Sequence, residues 1–209
     1  MNWMEMSLND FQDALASDNA TPGGGTAAAV ALGQAAALTA MVCNLTSGKE
    51  KWSAGWAAAD VASRVAAEVI SRSGPLAQED SDAFDLVVAA FRMPKETEDE
   101  KSTRRTAIRA GTLRAAEVPL ETAQLGMKLL DVLEDLARDG NGNAASDVGV
   151  ASLLASAAVK GALFNVDINV SSLPETMSSE LIEASAGMRE ECSARSRLVM
   201  HAVHDRINS

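Results

Sequence analysis

A chain of 209 residues suits one domain, or two small ones, and is long enough to bury a full core. With 29 acidic against 18 basic residues its net charge is −11, which argues against a general nucleic-acid or anionic-membrane surface. Abundant alanine and methionine, no tyrosine and no sustained alternating β-branched run favour helix nearly throughout and disfavour sheet.

The N-terminal run MNWMEMSLNDF lacks a basic region followed by an apolar one, so no secretory signal is read and a reducing cytoplasm is the expected location. Ser7 is a plausible N-cap for a short helix that turns Leu8, Phe11 and Leu15 inward and ends near Ser17. The uncharged stretch from Asn19 to Gly48 then organises the chain. Thr21-Pro22 followed by Gly23, Gly24 and Gly25 is a turn. Nothing breaks a helix from about residue 25 to residue 45, where alanine dominates. Leu38, Met41, Val42 and Leu45 form one ridge, and Ala27, Ala28, Ala31, Ala35 and Ala36 let neighbouring helices approach closely. A helix apolar all round is either central to a bundle or in a membrane. Gln34 and Asn44, the alanine content, the missing basic flank on the N-terminal side and the lack of a second span favour the buried central helix.

Gly48 suits the position just past the end of that helix. Trp52 and Trp56 open a third helix running to about Ser73 with Ala57, Val61, Val65 and Val69 at spacing four, and Gly74-Pro75 interrupts or kinks it. A fourth segment, residues 76–91, turns Phe84, Val87, Val88 and Phe91 inward and places Asp80 and Asp82 near its start. Met93-Pro94 stops it. A long helix follows, bends at Pro119 and ends at Asp139-Gly140. After the turn of Asn141, Gly142 and Asn143, Ser146 can cap an apolar helix over about residues 148–164. Leu173-Pro174 precedes a last helix over residues 176–207, with Leu181, Met188, Cys192, Val199 and Val203 in a near-heptad stripe. The expected architecture is one all-α domain over residues 1–209, a helical bundle around a buried Ala-rich helix. The Ala-rich and near-heptad faces exceed what one small bundle must cover, so a homodimer is expected.

Several polar interruptions lie beside these apolar helices. The turn of Pro22, Gly23, Gly24 and Gly25 opens a helix whose free N–H groups suit an anion or a carbonyl, although a plain tight turn explains it equally well. It is not a Walker A loop, since no Gly-Lys-Ser/Thr follows at the required spacing. Asp80, flanked by Glu79 and Asp82, is either a solvated helix-end cluster or, if turned inward, a carboxylate raised toward general-base range by burial. Asn141 to Asp147 reads first as turn and cap chemistry. Asn165 and Asn169 place two amides on one helix face where a purely structural core prefers leucine. Lys49, Lys51, Lys95, Lys101, Arg104 and Arg105 form either a local anion site or solvated loop charge. Cys43 and Cys192 are too few and too far apart for a disulfide framework or zinc site, and Cys43 fits a small core residue. His201 and His204 lack a third ligand, so no metal site is expected.

Taken in order, FQDALASDNATPGGGTAAAVALG, MVCNLTSGK, EDSDAF, MPKETEDEKSTR, GNGNAASDVGVA and FNVDIN resemble the cyclodeaminase/cyclohydrolase family over essentially the whole chain. That family comprises the cyclodeaminase domain of formiminotransferase-cyclodeaminase and freestanding methenyltetrahydrofolate cyclohydrolases. The resemblance implies an all-α, typically dimeric protein acting on a one-carbon unit held between N5 and N10 of tetrahydrofolate. It matches Asp80 to the family's catalytic proton acceptor in D-x2-AF, with Asp82 at a variable position. It matches Pro22, Gly23, Gly24, Gly25, Thr46, Lys49, Lys95, Lys101, Arg104, Asn141, Ser146, Asp147, Asn165 and Asn169 to recurring polar positions that would line a folate pocket. It implies no metal and no cofactor beyond the folate substrate, and neither a nucleic-acid nor a membrane partner. A lone cyclodeaminase would need its substrate delivered by another protein, whereas a cyclohydrolase is self-sufficient. The expectation is therefore a methenyltetrahydrofolate cyclohydrolase, with formiminotetrahydrofolate cyclodeaminase as runner-up and a non-catalytic folate- or anion-binding helical dimer as the alternative of a different class.

Overall fold

In the computed structural model, which describes residues 2–208, all regular structure among those residues is helical. The α-helices are α1 (Leu8–Ala16), α2 (Gly24–Thr46), α3 (Trp56–Phe91), α4 (Glu98–Asp139), α5 (Ala145–Val170), α6 (Glu175–Ser185) and α7 (Met188–Asn208). Helices α2, α3, α4 and α5 form the core, each packed chiefly on its two sequence or spatial neighbours. Their register is antiparallel throughout. A methyl built on Gly33 would meet Ser73 and one on Gly25 would meet Asp80, while one on Gly161 would touch Ala28. Salt bridges Arg72–Glu121, Arg114–Glu79 and Lys128–Glu68 set α3 against α4. Helix α7 lies across α4 and α5, burying Cys192, Val199 and Val203 of the near-heptad stripe.

The physical basis is a division of labour between small and large side chains. Buried Ala28, Ala29, Ala35 and Ala36 of α2 face Ala59, Ala62 and Ala66 of α3 and Ala151, Ala155, Ala158 and Ala162 of α5, so these backbones approach closely. Helix α4 fills the remaining volume with Leu125, Leu129, Leu130, Leu133 and Leu136. Each fully buried leucine contributes about 1.5–3 kcal/mol of transfer free energy. Burial also pushes the Cys43 thiol up to about 11, which makes it an inert core group.

Local signals are honoured at several ends. Ser7 caps α1 by accepting from Asp10 N–H, and Gly48 follows α2 at φ +70°. Elsewhere tertiary packing overrides them. The two segments expected on either side of Pro75 are one helix. Ser71, whose carbonyl loses its partner to Pro75, is exposed and open to water. Helix α4 likewise runs on through Pro119. The carbonyl freed there belongs to Ala115, and the Asn169 side-chain amide of α5 donates to it at 2.9 Å. The last helix, expected unbroken, divides into α6 and α7 at Ala186 and Gly187, the latter at φ +75°. Ser146 lies inside α5 rather than capping it, because a 3₁₀ turn (Gly142–Ala144) leads directly into the helix.

Several side chains expected inward are exposed, namely Leu8, Phe84 and Phe91, as are Val61 at its helical spacing and Met41 and Leu45 of the α2 ridge. For Phe84 (44% exposed) and Phe91 (56%) the reason is that α3 outruns α2 beyond Asp80 and packs there on α4. A second apolar span, not expected, also exists. Gly24–Thr46 and Gly142–Val170 are both long and apolar enough to cross a membrane by length and composition, with 50% and 56% of their apolar windows buried in the fold. Their open sides are mostly uncharged: Gln34, Ala37 and Met41 on α2, and Val150, Leu153, Ala157, Phe164 and Ile168 on α5, with the Arg189 guanidinium over the Phe164 ring.

Candidate active site

The site is built where α3 passes the start of α2. Gly23 takes the N-cap position and supplies no side-chain cap, so the first N–H groups of α2 lack a local partner. Asp80, one turn past Leu76 on α3, provides that partner from another helix. Thr26 donates its hydroxyl to Asp80 Oδ2 at 3.0 Å, and the Thr26 backbone N–H lies close enough to favour the ionised carboxylate as well. The approach is possible because residue 25 is glycine: a β-carbon there would sit 2.6 Å from the Asp80 carboxyl carbon. A β-carbon on Gly24 would meet nothing within 4 Å. Of the glycine turn, Gly25 is therefore the residue with a steric requirement, and the Gly23–Gly24 edge is open.

Burial holds the Asp80 carboxyl above the usual carboxylate range, opposed by the Thr26 hydroxyl and backbone N–H. Asp80 thus pairs a raised proton affinity with a fixed orientation, which is what a general base requires. Its neighbours point elsewhere. Glu79 turns to Arg72 (2.5 Å) and Arg114 (2.5 Å), and these guanidinium groups hold its carboxyl below the usual range. Asp82 accepts from Gln78 and lines a separate hollow of about 560 Å³ with Asn2, Met4, Gly74, Pro75 and Gln78. Asp82 is thereby set apart from the Asp80 contact, as its variable position in the motif suggests.

The remaining sequence candidates fall into three groups. Near the Asp80 end of the bundle, Asn165 donates to Gly161 C=O, and Asn169 donates to both Asn165 C=O and Ala115 C=O. Asn169 thus has a structural duty, covering the carbonyl that Pro119 leaves. At the opposite end of α2, roughly 33 Å away over 22 helical steps, Thr46 and Asn141 tie α2 to the start of α5. Thr46 Oγ accepts from Asn141 N–H at 3.0 Å, and the Asn141 amide donates to Leu45 C=O. Lys49, Ser146 and Asp147 lie at that same end, while Thr46 itself is fully buried. Lys95, Lys101 and Arg104 occupy the tip of the α3–α4 hairpin, where Arg104 donates to Phe91 C=O and stacks over its ring, and Lys101 pairs with Glu98. One folded chain therefore brings the glycine turn and Asp80 together but separates Thr46, Lys49, Asn141, Ser146 and Asp147 from them.

Sequence reasoning passes over Thr26, Ser81 and Trp3. Trp3 Nε1–H donates to Ser81 Oγ at 2.9 Å, and Ser81 Oγ lies 3.0 Å from Thr26 Oγ1. No local signal marks them, because the bonds span 54 to 78 residues of sequence. Among the described residues no group of three His, Cys, Asp or Glu side chains is arranged to hold a metal.

Residues 7–187 of this all-helical chain match the formiminotransferase-cyclodeaminase family, and the chain belongs to it. It is 35% identical to a methenyltetrahydrofolate cyclohydrolase from Methylorubrum extorquens, over 97% of this chain and 98% of that protein. It is 29% identical to the formimidoyltransferase-cyclodeaminase of Rattus norvegicus, where it spans only 38% of the longer protein. The crystal structure of formiminotetrahydrofolate cyclodeaminase from Thermotoga maritima superposes with a TM-score of 0.84 at 27% identity, covering 97% of this chain and 98% of that one.

Proposed function

We propose that the chain is a methenyltetrahydrofolate cyclohydrolase, converting 5,10-methenyltetrahydrofolate and water to 10-formyltetrahydrofolate with Asp80 as the general base. The near-full-length similarity to a cyclohydrolase supports the reaction, and the clasped, desolvated Asp80 carboxylate supports the residue. Water adds to the amidinium carbon between N5 and N10 while one of its protons passes to Asp80, leaving a neutral tetrahedral carbinolamine. The carbon–N5 bond then breaks, N5 takes the proton from Asp80, and the hydroxyl proton leaves as the formyl C=O forms on N10. Asp80 also favours the cationic substrate by charge. Every step uses water, Asp80 and the substrate's own charge, and none calls for a metal or redox group.

The cyclodeaminase reading has its own support in the Thermotoga maritima structure. There the same carboxylate would take the N10 proton as N10 attacks a formimino carbon and ammonia leaves. The deciding assay follows near-ultraviolet absorbance of purified protein. Loss of methenyl absorbance above the spontaneous rate establishes cyclohydrolase. Its appearance from formiminotetrahydrofolate, without that loss, establishes cyclodeaminase.

We place the working enzyme in the cytoplasm as a homodimer paired through the open α2–α5 stripe. The open side is mostly apolar, with Leu153 55% and Ile168 68% exposed and Phe164 partly covered by Arg189, more than a lone soluble bundle ordinarily leaves in one band. A two-fold axis crossing the middle of α2 would lay the Asp80 end of one protomer beside the Thr46, Lys49, Asn141, Ser146 and Asp147 end of its partner. That pairing reunites candidate residues that a single chain holds far apart, with Lys and Arg groups available for the glutamate carboxylates. Leu153→Lys should convert a dimer to a monomer in sedimentation and abolish turnover. A wild-type monomer with full activity would refute the arrangement.

A further inference from the structure

We infer that Trp3, Ser81 and Thr26 form a proton-ordering chain that locks the Thr26 hydroxyl as a donor to Asp80, making the N-terminal turn a positioning element for the reaction. The inference rests on Asp80 being the general base. Its physical content is the polarity of three successive hydrogen bonds. The Thr26–Ser81 separation of 3.0 Å leaves open which hydroxyl donates. The two ends of the chain settle it together, because an ionised carboxylate only accepts and an indole nitrogen only donates. The single Thr26 proton goes to Asp80 Oδ2 at 3.0 Å, so in the Thr26–Ser81 bond Ser81 must donate, and Ser81 Oγ in turn accepts from Trp3 at 2.9 Å. Thr26 is fully buried and Ser81 is 2% exposed, so bulk water does not compete to turn the chain round. Hydrogen bonds in such series also polarise one another.

The turn that carries Trp3 is itself anchored. Asn2 accepts from Met4 N–H, the Trp3 ring meets Phe11 of α1 edge-on at 6.5 Å, and Met4 lies over Gly74 of α3. A segment some 77 residues from the base in sequence is thereby tied to it.

The charged groups around Asp80 do not supply this control. Helix α2 carries no Asp, Glu, Lys, Arg or His at all. On α3, Glu79 is engaged by Arg72 and Arg114, Asp82 by Gln78, and Asp85 by Thr21. Helix α4 brings Arg114 and Glu117, which pair with each other, helix α5 brings Lys160 and Asp167, the latter held by Arg189, and the N-terminal turn brings Glu5, bonded by Asn2. Burial and Thr26 alone account for the displaced proton affinity of Asp80.

The test compares Trp3→Phe, Ser81→Ala and Thr26→Ser with wild type, reading the pH profile of kcat and, separately, the carbon-13 titration of the Asp80 carboxyl. Without Ser81 the Thr26 oxygen loses its donor, and without Trp3 the Ser81 hydroxyl can turn away from Thr26, so either change weakens the hold on the ionised carboxylate. The acid limb of kcat and the carboxyl titration should both move up by about one pH unit, with KM little changed. Thr26→Ser keeps the hydroxyl and should keep the limb in place. A purely structural role would lower stability or plateau kcat without moving the limb. If Trp3→Phe and Ser81→Ala both leave the carboxyl titration unmoved, the chain is overturned even with Asp80 confirmed as the base. If the titration moves but Asp80→Asn turns over normally, the ordering stands as structure and the base reading, with the catalytic inference on it, falls.

Discussion

Gly25→Ala places one methyl group against the reacting carboxylate and nowhere else of consequence. The added β-carbon would lie 2.6 Å from Asp80 Cγ, about 0.9 Å inside an ordinary carbon–carbon contact. The yielding partner is the end of a rotatable side chain, so Asp80 should swing by about 1 Å rather than force α2 and α3 apart. Losing the cross-helix cap to Thr26 costs about 1 kcal/mol. Replacing glycine by alanine inside a helix returns up to about 1 kcal/mol. Stability should therefore change little, whereas a 1 Å misplacement of a catalytic group costs on the order of 10²-fold in rate. Gly24→Ala, one residue earlier in open space, adds the same methyl without touching Asp80 and is the matched control for the Asp80 contact. Turnover of 5,10-methenyltetrahydrofolate and thermal unfolding by circular dichroism, measured on both variants, separate the two effects. A Gly25→Ala enzyme with wild-type turnover would refute the claim that Asp80 must hold this position.

Glu79→Gln should lower stability at neutral pH by about 1–2 kcal/mol, between an exposed and a fully buried ion pair, as read from urea unfolding. The Glu79 carboxyl is held low in the fold, so its stabilisation is present above the unfolded-state pKa and is lost as pH falls through the folded one. The advantage of wild type over Glu79→Gln should accordingly vanish in acid, and an advantage that persists there would contradict the ion-pair account. Asn169→Leu should cost about 1–3 kcal/mol by orphaning the Ala115 carbonyl, and Pro119→Ala in the same chain should recover much of it by restoring the helical N–H. Additive losses in that double-mutant cycle would sink the explanation. Asp80 titrates high in the fold, so its stabilising contribution is complete below the unfolded-state pKa and lost as pH rises through the folded one. Asp80→Asn should thus melt no lower than wild type at neutral pH.

The helix starts and stops that depend on one residue were legible in the chain, among them the Ser7 cap and the Gly48 exit. Pro75 and Pro119 misled because the rule they invoke is local. Each removes one N–H, and solvent at Ser71 or the Asn169 amide supplies the missing partner from outside the segment. Phe84 and Phe91 misled because periodicity identifies an apolar face without saying whether another helix reaches it. At the site, Asp80 and the glycine turn could be picked out from motif resemblance, yet the steric demand at Gly25 rather than Gly24 needed the helix crossing. Thr26, Ser81 and Trp3 left no usable signal, since hydroxyl and indole groups are common and their bonds join distant segments.

The central claim, that Asp80 takes the proton, is tested most directly by measuring turnover and folate affinity together for Asp80→Asn and Asp82→Asn. Asn keeps the size of Asp and can still accept from Thr26, but it cannot serve as a base. The account expects Asp80→Asn to lose roughly 10²- to 10⁴-fold in kcat, the range typical of a general base, while binding folate nearly as well as wild type. Asp82→Asn should be mild, since Asp82 faces a separate hollow with Gln78. An inactive Asp82→Asn beside a fully active Asp80→Asn would contradict the account.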